Sequence, residues 1–195
     1  MKEKAQEKEK AREKAPGKYY SHLVTFKQPW EEFVQALWQR YPNPYSKHVL
    51  TEDTISRWTK GRQLFTKRLI TKTNPIPKWA EKALGDKKAV FIEESIVNSE
   101  TKTFVTYNRN ITQTRFITMV EKCTYRISPD NPKWTSCFKE AWIQCKVYGL
   151  SRVVEKLSME RYKSNARKAE LGIQFILDKM FNTANQVVQT IKDNL

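Results

Sequence analysis

AVFIEESIV at 89–97, TFVTYN at 103–108, FITMVEKCTYRI at 116–127 and WTSCFKEAWIQCKV at 134–147 decide the fold. Each run is rich in β-branched and aromatic residues. Turn residues separate them, Asn98-Ser99 after the first and Ser128-Pro129-Asp130-Asn131-Pro132 before the last. Runs of the same character precede them at 48–58 and 63–72, split by Lys60-Gly61, and KYYSHLVTFK adds another at 18–27. Parallel neighbours need crossovers of about a dozen residues or more, so gaps this short read as an antiparallel meander. The gap 74–88 differs: Pro75 to Gly85 reads as a loop with a short helix.

Helical periodicity flanks the strands. Pro29 with Glu31 and Glu32 marks a helix start, and Trp30, Phe33, Val34, Leu37 and Trp38 form an apolar stripe that Pro42 and Pro44 end. From Gly149 to about Ile191 a second stripe runs through Leu150, Val153, Val154, Leu157, Tyr162, Ala166, Ala169, Ile173, Ile176 and Met180. One helix of that span is about 60 Å long at ~1.5 Å per residue, so it overhangs, bends or breaks. Gly172 and Asn182 are its weak points, and the stripe reads mainly as core packing. The expectation is an α+β fold: a curved antiparallel sheet of about seven strands, an early helix, and a long C-terminal helix on the concave face. That arrangement buries the face or encloses a cavity.

Residues 1–17 hold six Lys or Arg and four Glu with no large apolar residue after Met1, and read as a disordered charged extension. One Arg among four Glu is a poor mitochondrial presequence. The folded domain is expected over 18–182, with 183–195 as the end of the helix or a tail.

Thirty-six Lys and Arg against 21 Asp and Glu leave a net charge of +15, which implies an anionic partner. No stretch approaches the ~18 consecutive apolar residues of a membrane span, so membrane contact is peripheral. Three cysteines without Cys-x-x-Cys, and two histidines, give no metal set. No GxSxG or Walker A pattern appears, and Glu93-Glu94 point to opposite strand faces, so no enzyme is expected. The lysines are scattered and no RNA-binding motif accompanies them, so nucleic acid is not the expected partner. His48 in its strand reads as structural.

The informative pattern is cations on an inward face. Alternation in Leu64–Lys72 puts Leu64, Thr66, Arg68, Ile70 and Lys72 together. Two readings stand: an edge strand blunted by charge, or a mixed pocket holding an anion against an apolar wall. On the late helix, Arg161 and Lys168 fall nearly on one line with Arg167 beside them, either a solvated side or phosphate-binding cations. Ile76, Trp79 and Leu84 beside Lys78 and Lys82 suit either a membrane-surface loop or packing onto the sheet.

The run Arg40-Tyr41-Pro42-Asn43-Pro44-Tyr45-Ser46-Lys47-His48-Val49-Leu50-Thr51-Glu52-Asp53 resembles the PRELI/MSF1 family. The likeness continues at 67–79 (KRLITKTNPIPKW), 94–98 (ESIVN), 107–110 (YNRN) and 161–165 (RYKSN), then Lys168 and Gly172, covering about 18–182. In detail it is nearer the phosphatidic-acid-carrying branch than the phosphatidylserine-carrying one. The resemblance implies a sheet and helices closing a lipid cavity, with a bound phospholipid and no cofactor. It implies work in the mitochondrial intermembrane space, moving phosphatidic acid from outer to inner membrane in support of cardiolipin synthesis. It implies a heterodimer with a small helical twin Cys-x9-Cys protein. Carried over by residue, the head-group cations are Arg40, Arg68, Lys72, Arg161 and Lys168, with His48 nearby. Ile76 and Trp79 are the membrane-touching groups of a lid. Acyl chains are expected against the apolar inner face and the helix, and removal of Arg68 with Lys168 is expected to spare the fold.

Overall fold

The computed structural model describes residues 17–73, 88–147 and 151–182. Strand β1 (Lys18–Phe26) leads into helix α1 (Trp30–Trp38). Six strands follow: β2 (Val49–Lys60), β3 (Gln63–Thr73), β4 (Lys88–Asn98), β5 (Thr103–Asn110), β6 (Ile117–Ile127) and β7 (Thr135–Cys145). The long helix α2 (Ser151–Leu177) ends in a π-helical turn, Asp178–Asn182. The strands form one curved sheet in the order β1-β7-β6-β5-β4-β3-β2, every neighbouring pair antiparallel. This is the expected α+β architecture, with β1 returning beside β7. The β2–β3 turn uses Gly61 at φ 59, a left-handed position where a side chain would be strained.

Strand β3 lies between β2 and β4, so it is not an edge strand, and that reading of its charges falls. Its inward set is as the alternation required: Thr66, Arg68 and Ile70 are buried. Glu93 is buried too, whereas the Glu94 side chain is half exposed and pairs with Lys67.

The two ends of the sheet are packed differently. At the end carrying the β2–β3 and β4–β5 turns, one register row crosses the inner face through Leu64, Val97, Phe104, Tyr125, Cys137 and Val24. Phe26, Phe33, Leu37 and, from α2, Ile173, Ile176 and Leu177 close over that row. At the other end a smaller cluster, Ala141 and Ile143 with Met159, Tyr162 and Ala166, holds the first half of α2 to β7. All three cysteines are buried free thiols.

One expectation about α2 needs correction. Gly172 does not break it, since the helix runs unbroken to Leu177. The glycine is there for space: a Cβ would lie 2.7 Å from both Asn43 Oδ1 and Nδ2. The apolar stripe is mainly core, as expected, with two exceptions at its start. Met159, Tyr162 and Ile173 are buried, but Val153 is 56 % and Leu157 54 % exposed. The loop-and-helix expected at 74–88 falls, but for Lys88, outside the described residues, and so do Ile76, Trp79 and most of residues 1–17 and 183–195.

Candidate functional site

Between the two packed ends, sheet and helix part around a cavity of about 210 Å³. Its outer wall is apolar, from Ile70, Phe91, Ile117 and Met119 of the sheet and Ala169 and Ile173 of the helix. Its inner wall carries a polar row across three strands, Glu93, Asn108 and Glu121, which the register places side by side. Beyond the cavity, the segment 44–48, Thr73 and the outward flank of α2 from Arg161 to Lys168 form an open vestibule. The inner face is therefore not the uniformly apolar surface expected for acyl chains.

The predicted cations separate into two groups. Arg40, just past α1, is buried, and its guanidinium donates to Glu93 at 2.8 Å and Glu52 at 3.0 Å. Arg68 reaches the same two carboxylates, Glu52 at 2.6 Å and Glu93 at 2.5 Å. Trp38 closes one side, its ring 4.7 Å from the Arg68 guanidinium carbon. Two arginines and two glutamates make a neutral cluster. Burial works against the Glu93 carboxylate, but Arg40 and Arg68 outweigh it and hold it below the usual carboxylate range. Burial likewise opposes the charge on Arg40, yet Glu93, Tyr41 and Glu52 raise it well above the ordinary arginine value. Burial and the nearby Arg40 pull Arg68 down, but a guanidinium stays charged in a protein.

Arg40 touches the cavity, whereas Arg68 lies behind it. Removing Arg68 leaves Glu52 and Glu93 to share Arg40 alone at a position where the arginine is 3 % exposed, which argues against the expectation that it can go without harm to the fold.

The other four gather at the mouth. His48 and Arg161 line both cavity and vestibule, Lys72 lines the cavity, and Lys168 lines the vestibule. The Lys72 ammonium sits 4.5 Å from the Phe91 ring centroid, and no acidic partner is found for Lys72 or Lys168 among the described residues. His48 responds to them: burial, then Lys72 and Lys168, push its pKa down, so it is neutral at physiological pH. Among the described residues, Lys72 and Lys168 thus leave positive charge at the mouth over an apolar wall.

The segment that carries His48 is locked to the helix. Asn43 Nδ2 donates to the Arg40 carbonyl at 2.6 Å, and Asn43 Oδ1 accepts from the backbone N–H groups of Tyr45 and Ser46 at 3.0 and 2.9 Å. With its side chain so engaged, Asn43 occupies the space left by Gly172. Two residues far apart in the chain make one docking contact.

Sequence reasoning missed Glu52, Glu93, Glu121, Lys139 and Tyr162. Tyr162 donates to Glu121 at 2.7 Å, and Lys139 pairs with Glu170 at 2.8 Å; both contacts tie α2 to the sheet across the cavity. Burial first, and then Glu121, raise the Tyr162 pKa, so the phenol stays a donor. Strand alternation could have put Glu93 and Lys139 inside, but their partners depended on register. Among the described residues no three His, Cys, Asp or Glu side chains gather as a metal set, and no helix is long and apolar enough to cross a membrane.

A family model described as PRELI-like family matches residues 31–184. PRELI domain-containing protein 1, mitochondrial, of Gallus gallus is 40 % identical over 183 residues, covering 91 % of this chain and 85 % of that protein. Protein UPS1, mitochondrial, of Saccharomyces cerevisiae is 33 % identical, covering 77 % and 87 %. Among solved structures, TTHA0849 from Thermus thermophilus superposes at a TM-score of 0.56 with 13 % identity, over 82 % of this chain and 97 % of its own. A START superfamily protein from Mycobacterium smegmatis gives 0.51 with 15 % identity, over 82 % and 99 %. At these identities the likeness is one of fold.

Proposed function

The chain belongs to the PRELI-like family, and on that premise we propose that it is a phospholipid carrier that takes an acidic phospholipid, phosphatidic acid by preference, between the two mitochondrial membranes. One observation supports this most: an apolar-walled cavity under α2 opens beside cations that have no acidic partner among the described residues, Lys72 and Lys168. A phosphate leaving water needs compensating charge, and hydrocarbon needs a dry wall. Lys72, Arg161 and Lys168, with His48, hold the phosphate at the mouth. Arg40 and Arg68 bear on it through the neutral cluster that fixes the inner wall. A cavity of about 210 Å³ is small for a diacyl lipid, so the sheet and helix part further when it is loaded. The protein is a carrier and not an enzyme, and needs no cofactor.

The relatives named mitochondrial agree with a mitochondrial site of action, and the intermembrane space is the compartment a carrier between the two membranes requires. There it feeds cardiolipin synthesis as a heterodimer with a small twin Cys-x9-Cys helical protein. A phosphatidylserine carrier of the same family is the second reading, favoured by Asn108 in the inner wall, whose buried Oδ1 has no hydrogen-bond partner among the described residues and suits a head group with hydrogen-bond donors. Transfer of each lipid between donor and acceptor vesicles, with the partner co-expressed, separates the two. Faster movement of phosphatidic acid supports the first reading, and faster movement of phosphatidylserine the second. Folded heterodimer that moves neither lipid sinks both and leaves a protein-binding scaffold.

A further inference from the structure

The apolar stripe of α2 leaves Val153 and Leu157 facing water, one turn apart, opposite the face that buries Glu155, Met159 and Tyr162. Isolated exposed apolar residues need no explanation, but these have company. The β5–β6 loop presents Ile111, 41 % exposed, at the same end of the sheet. That loop is fixed in place: the Lys146 backbone N–H donates to the Phe116 carbonyl at 2.7 Å, and Lys146 Nζ donates to the Thr114 carbonyl at 3.2 Å. The start of α2 is fixed to the same edge, because Glu155 accepts the Cys145 backbone N–H at 2.9 Å. Loop and helix start therefore form one relatively rigid rim beside the cavity mouth, which Thr112, Gln113 and Ser158 line from these two elements.

The rim is basic. Arg115, Lys146, Arg152 and Lys156 are all exposed on it. The first turn of α2 carries no acid. A helix start usually recruits acids to face its positive dipole end, and here the nearest carboxylate along the helix, Glu155, is turned inward to the backbone. Like charges assembled at a positive dipole end repel one another in water and are relieved by an anionic surface. Apolar side chains flanked by lysine and arginine are also what an interfacial membrane contact requires.

We propose that this rim, Ile111, Val153 and Leu157 with Arg115, Arg152 and Lys156, docks on the anionic surface of a lipid bilayer. It sets the cavity mouth toward the membrane. The purpose of the contact rests on the carrier reading; its existence does not.

The test attaches an environment-sensitive fluorophore to Leu157→Cys in the full chain. The three native thiols are buried and leave the new one as the reactive site. Vesicles of phosphatidylcholine containing phosphatidylglycerol should shift the label to the blue, vesicles of phosphatidylcholine alone should not, and salt should reverse the shift. The same label on Glu100→Cys, in the β4–β5 turn at the opposite end, should stay in water. Arg152→Gln with Lys156→Gln should weaken partition to the anionic vesicles roughly 25-fold. An unchanged Leu157 label on protein whose melting is normal, repeated with Val153→Cys, overturns the proposal. So does a shift at Glu100 in its place, or one that appears only with a purified protein partner and with no vesicle. The readout is bilayer contact and not lipid movement, so docking can succeed where transfer fails, and the reverse.

Discussion

The two ends of this sheet are made of the same strands and do opposite things. At the closed end, Leu64, Val97, Phe104, Tyr125 and Cys137 pack against α1 and the second half of α2. At the open end the strands carry Lys72, Glu93, Asn108 and Glu121 inward, and two polar contacts tie α2 to the sheet across the cavity, beside its small apolar cluster on β7. Apolar packing is non-directional and rewards collapse, whereas a hydrogen bond or ion pair holds its partners at a set distance. An end that must fold and an end that must hold something are thus written in different residues of each strand.

The sharpest way to break the comparison is at the cluster between the ends. Arg68→Met leaves Glu52 and Glu93 with one arginine and should cost about 3–5 kcal/mol, read as a fall in the denaturation midpoint. Loss of transfer with unchanged stability would make Arg68 a ligand group instead. Next comes the mouth. Lys72→Gln with Lys168→Gln should lower phosphatidic acid extraction by about tenfold or more, the scale of one or two charge-assisted hydrogen bonds, with the melting temperature unmoved.

Gly172→Ala tests how tightly the closed half is docked. The gain in helix propensity, about 1 kcal/mol, is set against about 1–3 kcal/mol for forcing Asn43 aside. The net expectation is a small loss, a few degrees in thermal melting. A more stable variant would mean that Asn43 can move.

The smallest effect belongs to His48. Its folded pKa is lowered by burial and by Lys72 and Lys168, so below about pH 6.5 the unfolded chain takes up the proton first. This contribution is fully present at neutral pH and is lost as pH falls through that range. His48→Gln should flatten the slope. A bound phosphate should raise the His48 pKa, visible by NMR titration, because it offsets the two lysines.

Much of the closed end was legible in advance. Trp30, Phe33 and Leu37 fall at helical spacing, and the run 63–72 alternates, so the elements and their inward faces follow from period alone. Arg68 and Lys72 were visible as inward cations for the same reason. The pairing of Arg68 with Glu93 was not, since it depends on the register of β3 against β4. Val153 and Leu157 could not be told from the core members of their stripe, because a stripe of apolar residues records spacing and not which sector meets the sheet. Family likeness singled out Arg40 and Lys168, but it could not separate a cation cancelled by carboxylates from one left facing the mouth.

By itself the sequence determined the order and type of the elements, the antiparallel meander and the inward faces of the strands. These follow from local periodicity and short connections, which each segment carries in its own residues. Only the tertiary structure decided that Arg40 and Arg68 are neutralised, that Asn43 fills the place of a Cβ at Gly172, and that α2 turns two of its apolar residues outward. Each of those is a relation between residues distant in the chain. Coulomb energy, steric exclusion and burial depend on distance in space, which no spacing along the chain records.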